Sequence, residues 1–134
     1  MTCYRIPLSD LRPHVYPLDG QMWRCGEVDP SEIFKALNEN EREHRCWGTV
    51  VNTMTLEDAR LFHIRRIATL MDMPCFDRIV VIAETHLNPP KVYLNDGNHR
   101  LAAAYLRKDE FIDAIVATPQ EGSVLSIFPN ATPI

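Results

Sequence analysis

The chain has 134 residues, of which 46% are apolar and 24% charged, and its formal net charge is −4. This length favours one globular domain with a substantial hydrophobic core. The negative charge argues against a long DNA-binding footprint, which needs a broad basic surface, but it allows a local basic groove. The N-terminal sequence lacks the basic and apolar regions of a signal peptide, and no apolar run reaches the roughly 20 residues of a transmembrane helix. We therefore expect a cytoplasmic protein with no membrane partner.

The four cysteines are far apart and include no Cys-x-x-Cys pair: Cys3, Cys25, Cys46 and Cys75. Their spacing does not predict a zinc site. Thiols of a cytoplasmic protein stay reduced, so we interpret these residues as small apolar side chains of the interior.

Short irregular elements are expected in the first part of the chain. Pro7, Pro13 and Pro17 predict a short strand and a turn, with no helix, over residues 4–14, because proline lacks the amide hydrogen that a helix needs. The sequence that follows is typical of a loop or an irregular hairpin. Residues 48–53 are compatible with another short strand.

Two longer helices carry recognisable start signals. Asp29 can cap a helix over residues 29–40, and Thr55 with Asp58 forms a capping box for a helix that continues to about residue 72. The predicted apolar sides consist of Ile33, Phe34 and Leu37 in the first helix, and of Leu56, Ala59, His63, Ile67 and Leu70 in the second. A histidine on an apolar face is usually a satisfied core residue, and a functional role for His63 is the alternative.

Strands and helices alternate in the second half of the chain. The β-branched run at residues 79–83 predicts a strand buried on both faces, which Glu84 ends. The further predicted elements are a turn at 86–90, strands at 91–95 and 111–117, an intervening helix at 97–108, a possible last strand at 124–128 and a loose tail at 129–134. The pattern predicts an α/β (α+β) fold with a small mixed sheet and flanking helices.

The most informative motif is Asp-Gly-Asn-His-Arg at residues 96–100, where an apolar strand gives way to an alanine-rich helix. Asn95 or Asp96 is suited to cap the helix. Gly97 permits a sharp turn and lets a ligand approach the backbone closely. The first N–H groups of a helix point outward, with the positive end of the helix dipole behind them. The segment therefore predicts an anion site.

Three polar side chains follow the glycine. Arg100 carries a planar, permanently charged fork suited to phosphate oxygens. His99 can donate a hydrogen bond or transfer a proton, and Asn98 offers both a donor and an acceptor. The alternative is an ordinary strand, turn and helix with His99 and Arg100 on the surface, and the spacing is compatible with both interpretations.

The segment at residues 92–104 resembles the Asp-Gly-x-His-Arg signature of the ParB/sulfiredoxin-like superfamily. Its surroundings are similar to that family as well: an N-terminal strand with a proline turn at 6–13, a helix and a buried strand at 56–72 and 79–83, and a strand at 111–117. The similarity is most extensive over residues 76–117, and residues 17–53 are interpreted as a divergent or inserted region. The resemblance implies a single compact domain of this fold over residues 1–134, with a nucleotide or phosphate at the motif helix.

The members of the superfamily differ in chemistry. Sulfiredoxins use a cysteine where this chain has Asn98, so sulfiredoxin activity is not expected. Partition proteins bind CTP through a Gly-Glu-Arg-Arg type motif and continue into a helix-turn-helix domain, which we do not expect here. ADP-dependent serine kinases carry the similar Asp-Gly-His-His-Arg, but their catalytic glutamate follows a Pro-His, and here Val15 follows Pro13-His14. Plasmid and phage members resemble nucleotide hydrolases or DNases.

The resemblance implies that Gly97, Asn98, His99 and Arg100 hold phosphates. The candidate catalytic residues are His99, Asp96 and Glu84, with Asp96 as a metal-bridging group or base. Phosphoryl transfer usually needs a divalent metal, so Mg²⁺ with ATP, ADP or CTP is the expected cofactor. The residue that holds the metal stays open among Asp96, Glu84, Asp19 and Glu27.

Three hypotheses about function follow. The first is a nucleotide-dependent phosphohydrolase or phosphotransferase. The second is a ParB-like DNase or DNA-binding protein that uses the same site for a backbone phosphate. The third is a non-catalytic binding or inhibitor module of plasmid or phage type with a protein partner, which the missing family glutamate favours. The oligomeric state is left open by the sequence.

Overall fold

A computed structural model describes residues 2–74, 76–118 and 124–134. The chain forms two compact units, one of Met1–Tyr16 with Phe76–Ile134 and the other of Pro17–Cys75. The second unit therefore interrupts the first in sequence, and it contains the predicted insertion at 17–53 together with the helix that follows it.

The first unit is built on a sheet of five strands within the described residues: β1 (Thr2–Pro7), β2 (Ile79–Glu84), β3 (Lys91–Asp96), β4 (Phe111–Ala117) and β5 (Thr132–Pro133). Their spatial order is β3-β2-β4-β1-β5. The β2–β4 pair is parallel, and the other pairs are antiparallel. The predicted α/β class with a small mixed sheet is confirmed.

Three helices of the first unit cover one face of this sheet: α1 (Leu8–Leu11), α5 (Asn98–Arg107) and α6 (Val124–Ile127). Their buried side chains form one cluster with alternate strand residues, such as Val81, Leu94 and Leu101. The prediction that β2 is buried on both faces is wrong. Val80 and Ile82 are only half-buried, because successive side chains of a strand point to opposite faces and these two point away from the helices.

The second unit contains α2 (Pro30–Asn38), α3 (Trp47–Val50) and α4 (Leu56–Met71), preceded by a short 3-10 turn at Pro17–Asp19. Both predicted N-caps are confirmed: Asp29 accepts the amide of Ser31 at 2.9 Å, and Thr55 accepts the amide of Asp58 at 3.2 Å. Phe34 and Leu56 are 42% and 70% exposed, so their assignment to apolar contact sides is wrong. Leu56 is the first residue of its helix, where few neighbours can cover it.

The short elements correct two predictions. Residues 8–11 form a helical turn. The prolines permit this turn, since Pro7 precedes it and Pro13 follows it, and neither lies in its interior. Residues 47–50 are helical and not a strand. Two threonine hydroxyls stabilise this turn: Thr49 donates to the carbonyl oxygen of Cys46, and Thr53 donates to that of Val50, both at 2.7 Å.

The C-terminal segment also differs from expectation. Residues 124–127 form α6 and not a strand, since the buried residues Val124, Ile127 and Phe128 have helical spacing. The tail expected to be loose contains β5, which pairs with Tyr4 and Arg5 of β1. Its last amide, on Ile134, donates to the carbonyl oxygen of Cys3 at 3.0 Å.

Candidate functional site

The turn between β3 and α5 is shaped by Gly97. This residue is the N-cap of α5, with φ of +105°, and among the described side chains none caps the helix. The predicted cap by Asn95 or Asp96 is therefore wrong. A Cβ atom at this position would lie 2.4 Å from Cγ2 of Ile79 and in a strained backbone conformation. Glycine is thus required by the fold itself, whatever role it has toward a ligand.

Arg100 is held by two groups of its own unit. Its Nη1 donates to the carbonyl oxygen of Arg78 at 3.0 Å, and its Nη2 donates to Oδ2 of Asp96 at 2.7 Å. The Arg100 side chain is 17% exposed, whereas that of Asp96 is 66% exposed. The guanidinium therefore has a fixed position at the start of α5, and its carboxylate partner faces solvent.

Asn98 is the first residue of α5 and is 9% exposed. Its carboxamide makes no hydrogen bond with the described part of the chain, and neither of its amide atoms is sealed from solvent. The small accessible surface of Asn98 thus includes its polar group. His99, the next residue, is half-buried.

The body of α5 fixes this end of the helix against the sheet. Leu101 and the three alanines that follow it, Ala102–Ala104, are fully buried. The hydroxyl of Tyr105 donates to the carbonyl oxygen of Val15 at 2.9 Å, and burial raises the pKa of this phenol. The start of α5 is consequently supported by close packing along the helix.

Glu84 lies at the opposite end of β2 from this turn. In the β2–β3 pair, Glu84 is opposite Lys91 and Val80 is opposite Asp96. Four to five residues of strand therefore separate Glu84 from Asp96, or roughly 13–16 Å. The structure brings Asp96, Gly97, Asn98, His99 and Arg100 together at one turn and leaves Glu84 out.

Glu84 has a local partner instead. Its Oε1 accepts a hydrogen bond from the hydroxyl of Tyr93 at 3.3 Å. Desolvation and then the negative charge of Glu84 raise the pKa of Tyr93. This pair is part of the sheet surface.

The remaining carboxylate candidates belong to the second unit. Asp19 accepts the amide of Gln21 at 2.9 Å, which shapes a turn. The carbonyl oxygen of Glu27 accepts from Arg60 at 3.1 Å, and Arg60 also pairs with Glu32. Hydrogen bonding to Arg60 lowers the pKa of Glu32. Asp19 and Glu27 thus take part in local hydrogen bonds of the second unit, and neither belongs to the turn at residues 96–100.

A buried histidine is surrounded by aromatic rings in the second unit. His63 is 0% exposed and stacks on Trp23 with 4.3 Å between ring centroids. Trp47 and Phe62 lie at 4.5 and 5.8 Å from it. Burial lowers the pKa of His63 to about 4, so the imidazole is neutral at pH 7. The predicted core placement of this histidine is confirmed.

The expected metal has limited support from the donor set. Within residues 2–74, 76–118 and 124–134, no three His, Cys, Asp or Glu side chains come together as a metal-binding group. Mg²⁺ at a phosphate site commonly uses only one or two carboxylates besides phosphate oxygens and water. Asp96, exposed and beside Arg100, is the carboxylate whose position fits that arrangement.

Within residues 2–74, 76–118 and 124–134, no helix combines the length and apolar character needed to cross a bilayer.

Comparison with known proteins identifies no relative: no family model, curated protein or solved structure matches the chain.

The two roles that sequence reasoning missed are those of Asp96 and Arg78 as partners of Arg100. The first had a signal, since Asp96 and Arg100 are four residues apart, a spacing that often permits an ion pair. The second is a backbone carbonyl and has no signature in the sequence.

Proposed function

We propose that the chain binds the phosphate groups of a nucleotide at the start of α5, and that it is a ParB-like, nucleotide-dependent phosphohydrolase or phosphotransferase. The observation that carries the proposal is the composition of this helix start. Its N-cap is a left-handed glycine that supplies no capping side chain, and the Asn98 carboxamide and the Arg100 guanidinium follow within one turn. Backbone N–H groups, an amide and a guanidinium are the donors that phosphate oxygens require.

Each residue of the turn has a proposed role. Asn98 and Arg100 bind phosphate oxygens together with the first amides of α5. His99 transfers a proton in the reaction. Asp96 serves as the base or contacts Mg²⁺ that arrives with ATP, ADP or CTP. Glu84 has no role in this proposal, because of its distance from the turn.

A second candidate is a non-catalytic binding or inhibitor module with a protein partner. It is favoured by one observation, the pairing of Arg100 with both Asp96 and the Arg78 carbonyl. A guanidinium that is already bonded inside the protein has fewer N–H groups left for a ligand. The DNase or DNA-binding alternative has less support, since the net charge is −4.

A thermal-shift panel tests the proposal. The ligands are ATP, ADP, CTP, GTP and a short DNA, each with and without Mg²⁺. We expect one nucleotide to raise the melting temperature of the parent, because a ligand that binds only the folded state stabilises it by mass action. No shift with any of these ligands would favour the protein-binding module.

The Asn98→Asp variant locates the binding. It adds one negative charge to the proposed site with almost no change in volume, and a carboxylate is well tolerated at a helix N-terminus. The nucleotide shift should disappear in Asn98→Asp and persist in Asn88→Asp, the same replacement in the exposed turn between β2 and β3. Equal shifts in both variants would place the nucleotide elsewhere.

The His99→Ala variant separates binding from chemistry. We expect turnover to fall about 100-fold or more, as is typical when a positioned proton-transfer group is removed. Nucleotide affinity should change much less. Parallel losses of turnover and affinity would show that His99 only holds the ligand.

A further inference from the structure

Asp96 forms an ion pair with Arg100 at the start of α5. Its carboxylate lies beside the positively charged end of α5 and accepts from Arg100 at 2.7 Å. It makes no capping bond to the helix amides. The Asp96 carboxylate is therefore bound to the Arg100 guanidinium. An incoming phosphate would need the same guanidinium.

The two partners differ in how firmly they are held. Arg100 is largely buried and has a second bond, to the Arg78 carbonyl oxygen. Asp96 is mostly exposed, so it can rotate into solvent while Arg100 keeps its position. Water and salt screen the exposed carboxylate, which weakens its attraction to Arg100. When the ion pair opens, we therefore expect the Asp96 side chain to move and the Arg100 guanidinium to stay in place.

Asn98 is a second polar group at this helix start, and it is independent of the ion pair. Asn98 is nine-tenths buried at the first position of α5, and its carboxamide has no hydrogen-bond partner in the described part of the chain. Its polar atoms are accessible to solvent, so the carboxamide can donate to a ligand. An oxyanion at the start of α5 would accept that hydrogen bond.

We propose that Asp96 is a built-in gate, an autoinhibitory carboxylate that competes with the ligand for Arg100. This inference rests on the proposed phosphate-binding function and adds the regulation of that site. The gate disfavours free anions, because a phosphate must displace Asp96 and then lie near its negative charge. It favours polyphosphates that bind as Mg²⁺ complexes, since the cation offsets the charge of the displaced carboxylate.

The test compares the parent with Asp96→Asn. Asparagine keeps the shape and can still accept from Arg100, but it removes the competing charge. The control is Asp113→Asn, which removes the carboxylate of the Arg5–Asp113 pair between β1 and β4, where Nε of Arg5 and Oδ1 of Asp113 are 2.9 Å apart. Binding of inorganic pyrophosphate and of ATP is measured by calorimetry with and without Mg²⁺, and amide spectra verify that each variant is folded.

Without Mg²⁺, Asp96→Asn should bind pyrophosphate about fivefold or more tightly than the parent, the effect of removing one charge at contact distance. Mg²⁺ should strengthen binding by the parent more than binding by Asp96→Asn. Asp113→Asn should behave like the parent. If the parent binds pyrophosphate or ATP and Asp96→Asn binds equally or more weakly without Mg²⁺, the gate is wrong and the proposed function stands. If no folded variant binds either ligand, both are wrong.

Discussion

The structure requires glycine at position 97 for a different reason from the one that the motif indicates. An Asp-Gly pair at a strand end predicts close approach of a ligand, whereas the structure shows close approach of Ile79 and a φ of +105°. The packing requirement and a ligand-binding role are compatible. The consequence at the residue scale is that substitution of this glycine affects stability before it affects binding.

The Gly97→Ala variant should therefore be strongly destabilised. Strain in the left-handed region and the clash with Ile79 together should cost about 2–4 kcal/mol in the free energy of unfolding. Gly26→Ala is a useful control, since Gly26 also has a positive φ, of +77°, but no atom lies within 4 Å of its added Cβ. Urea denaturation measures both. Equal losses in the two variants would show that the Ile79 contact is unimportant.

His63 should make stability depend on pH. Its pKa is about 4 in the folded protein, against an ordinary value of 6.5, so the unfolded chain binds its proton first as the pH falls. The stabilising contribution is complete above pH 6.5 and is lost progressively between pH 6.5 and pH 4, by up to about 3 kcal/mol.

The pH dependence can be assigned with two variants. His63→Gln should flatten the curve of unfolding free energy against pH over this window, although its absolute stability will be lower. His44→Gln replaces an exposed histidine and serves as the control for the substitution itself. A parent curve that is flat from pH 6.5 to pH 4 would contradict the account of His63.

At the scale of elements, the sequence predicted the three longer helices, α2, α4 and α5, and missed the single-turn helices. Asp29 and Thr55 mark α2 and α4 because their oxygens bond the first amides of the helix. The single-turn helices have no such signal. Residues 124–128 were predicted as a strand, because a short apolar run fits either a strand or a helical turn until its neighbours are known.

The cap of α4 provides a prediction at this scale. Thr55→Ala should lower the free energy of unfolding by about 1 kcal/mol, because the Asp58 amide loses its acceptor. Thr55→Ser keeps the hydroxyl and should retain most of the stability. Thermal or urea denaturation of the two variants makes the comparison. Identical stability of the parent and Thr55→Ala would show that the cap contributes nothing.

At the scale of the whole molecule, the mixed sheet was predictable because alternating strands and helices permit few arrangements. The separation of Glu84 from the turn follows from the strand order, which the sequence does not give. An antiparallel hairpin places the end of β2 next to the start of β3, so a motif at the end of β3 must lie far from Glu84. The partnership of Arg100 with the Arg78 carbonyl spans 22 residues and depends on the completed fold.

We propose that the phosphate groups of a nucleotide bind at the start of α5. The most direct measurement is a titration of the ¹⁵N-labelled protein with ATP and Mg²⁺, followed by amide chemical shifts. We expect the amide signals of Asn98, His99 and Arg100 to shift first and furthest, with saturation at one equivalent of nucleotide. Shifts centred on Glu84 or on the unit Pro17–Cys75, or an unchanged spectrum with every nucleotide, would contradict it.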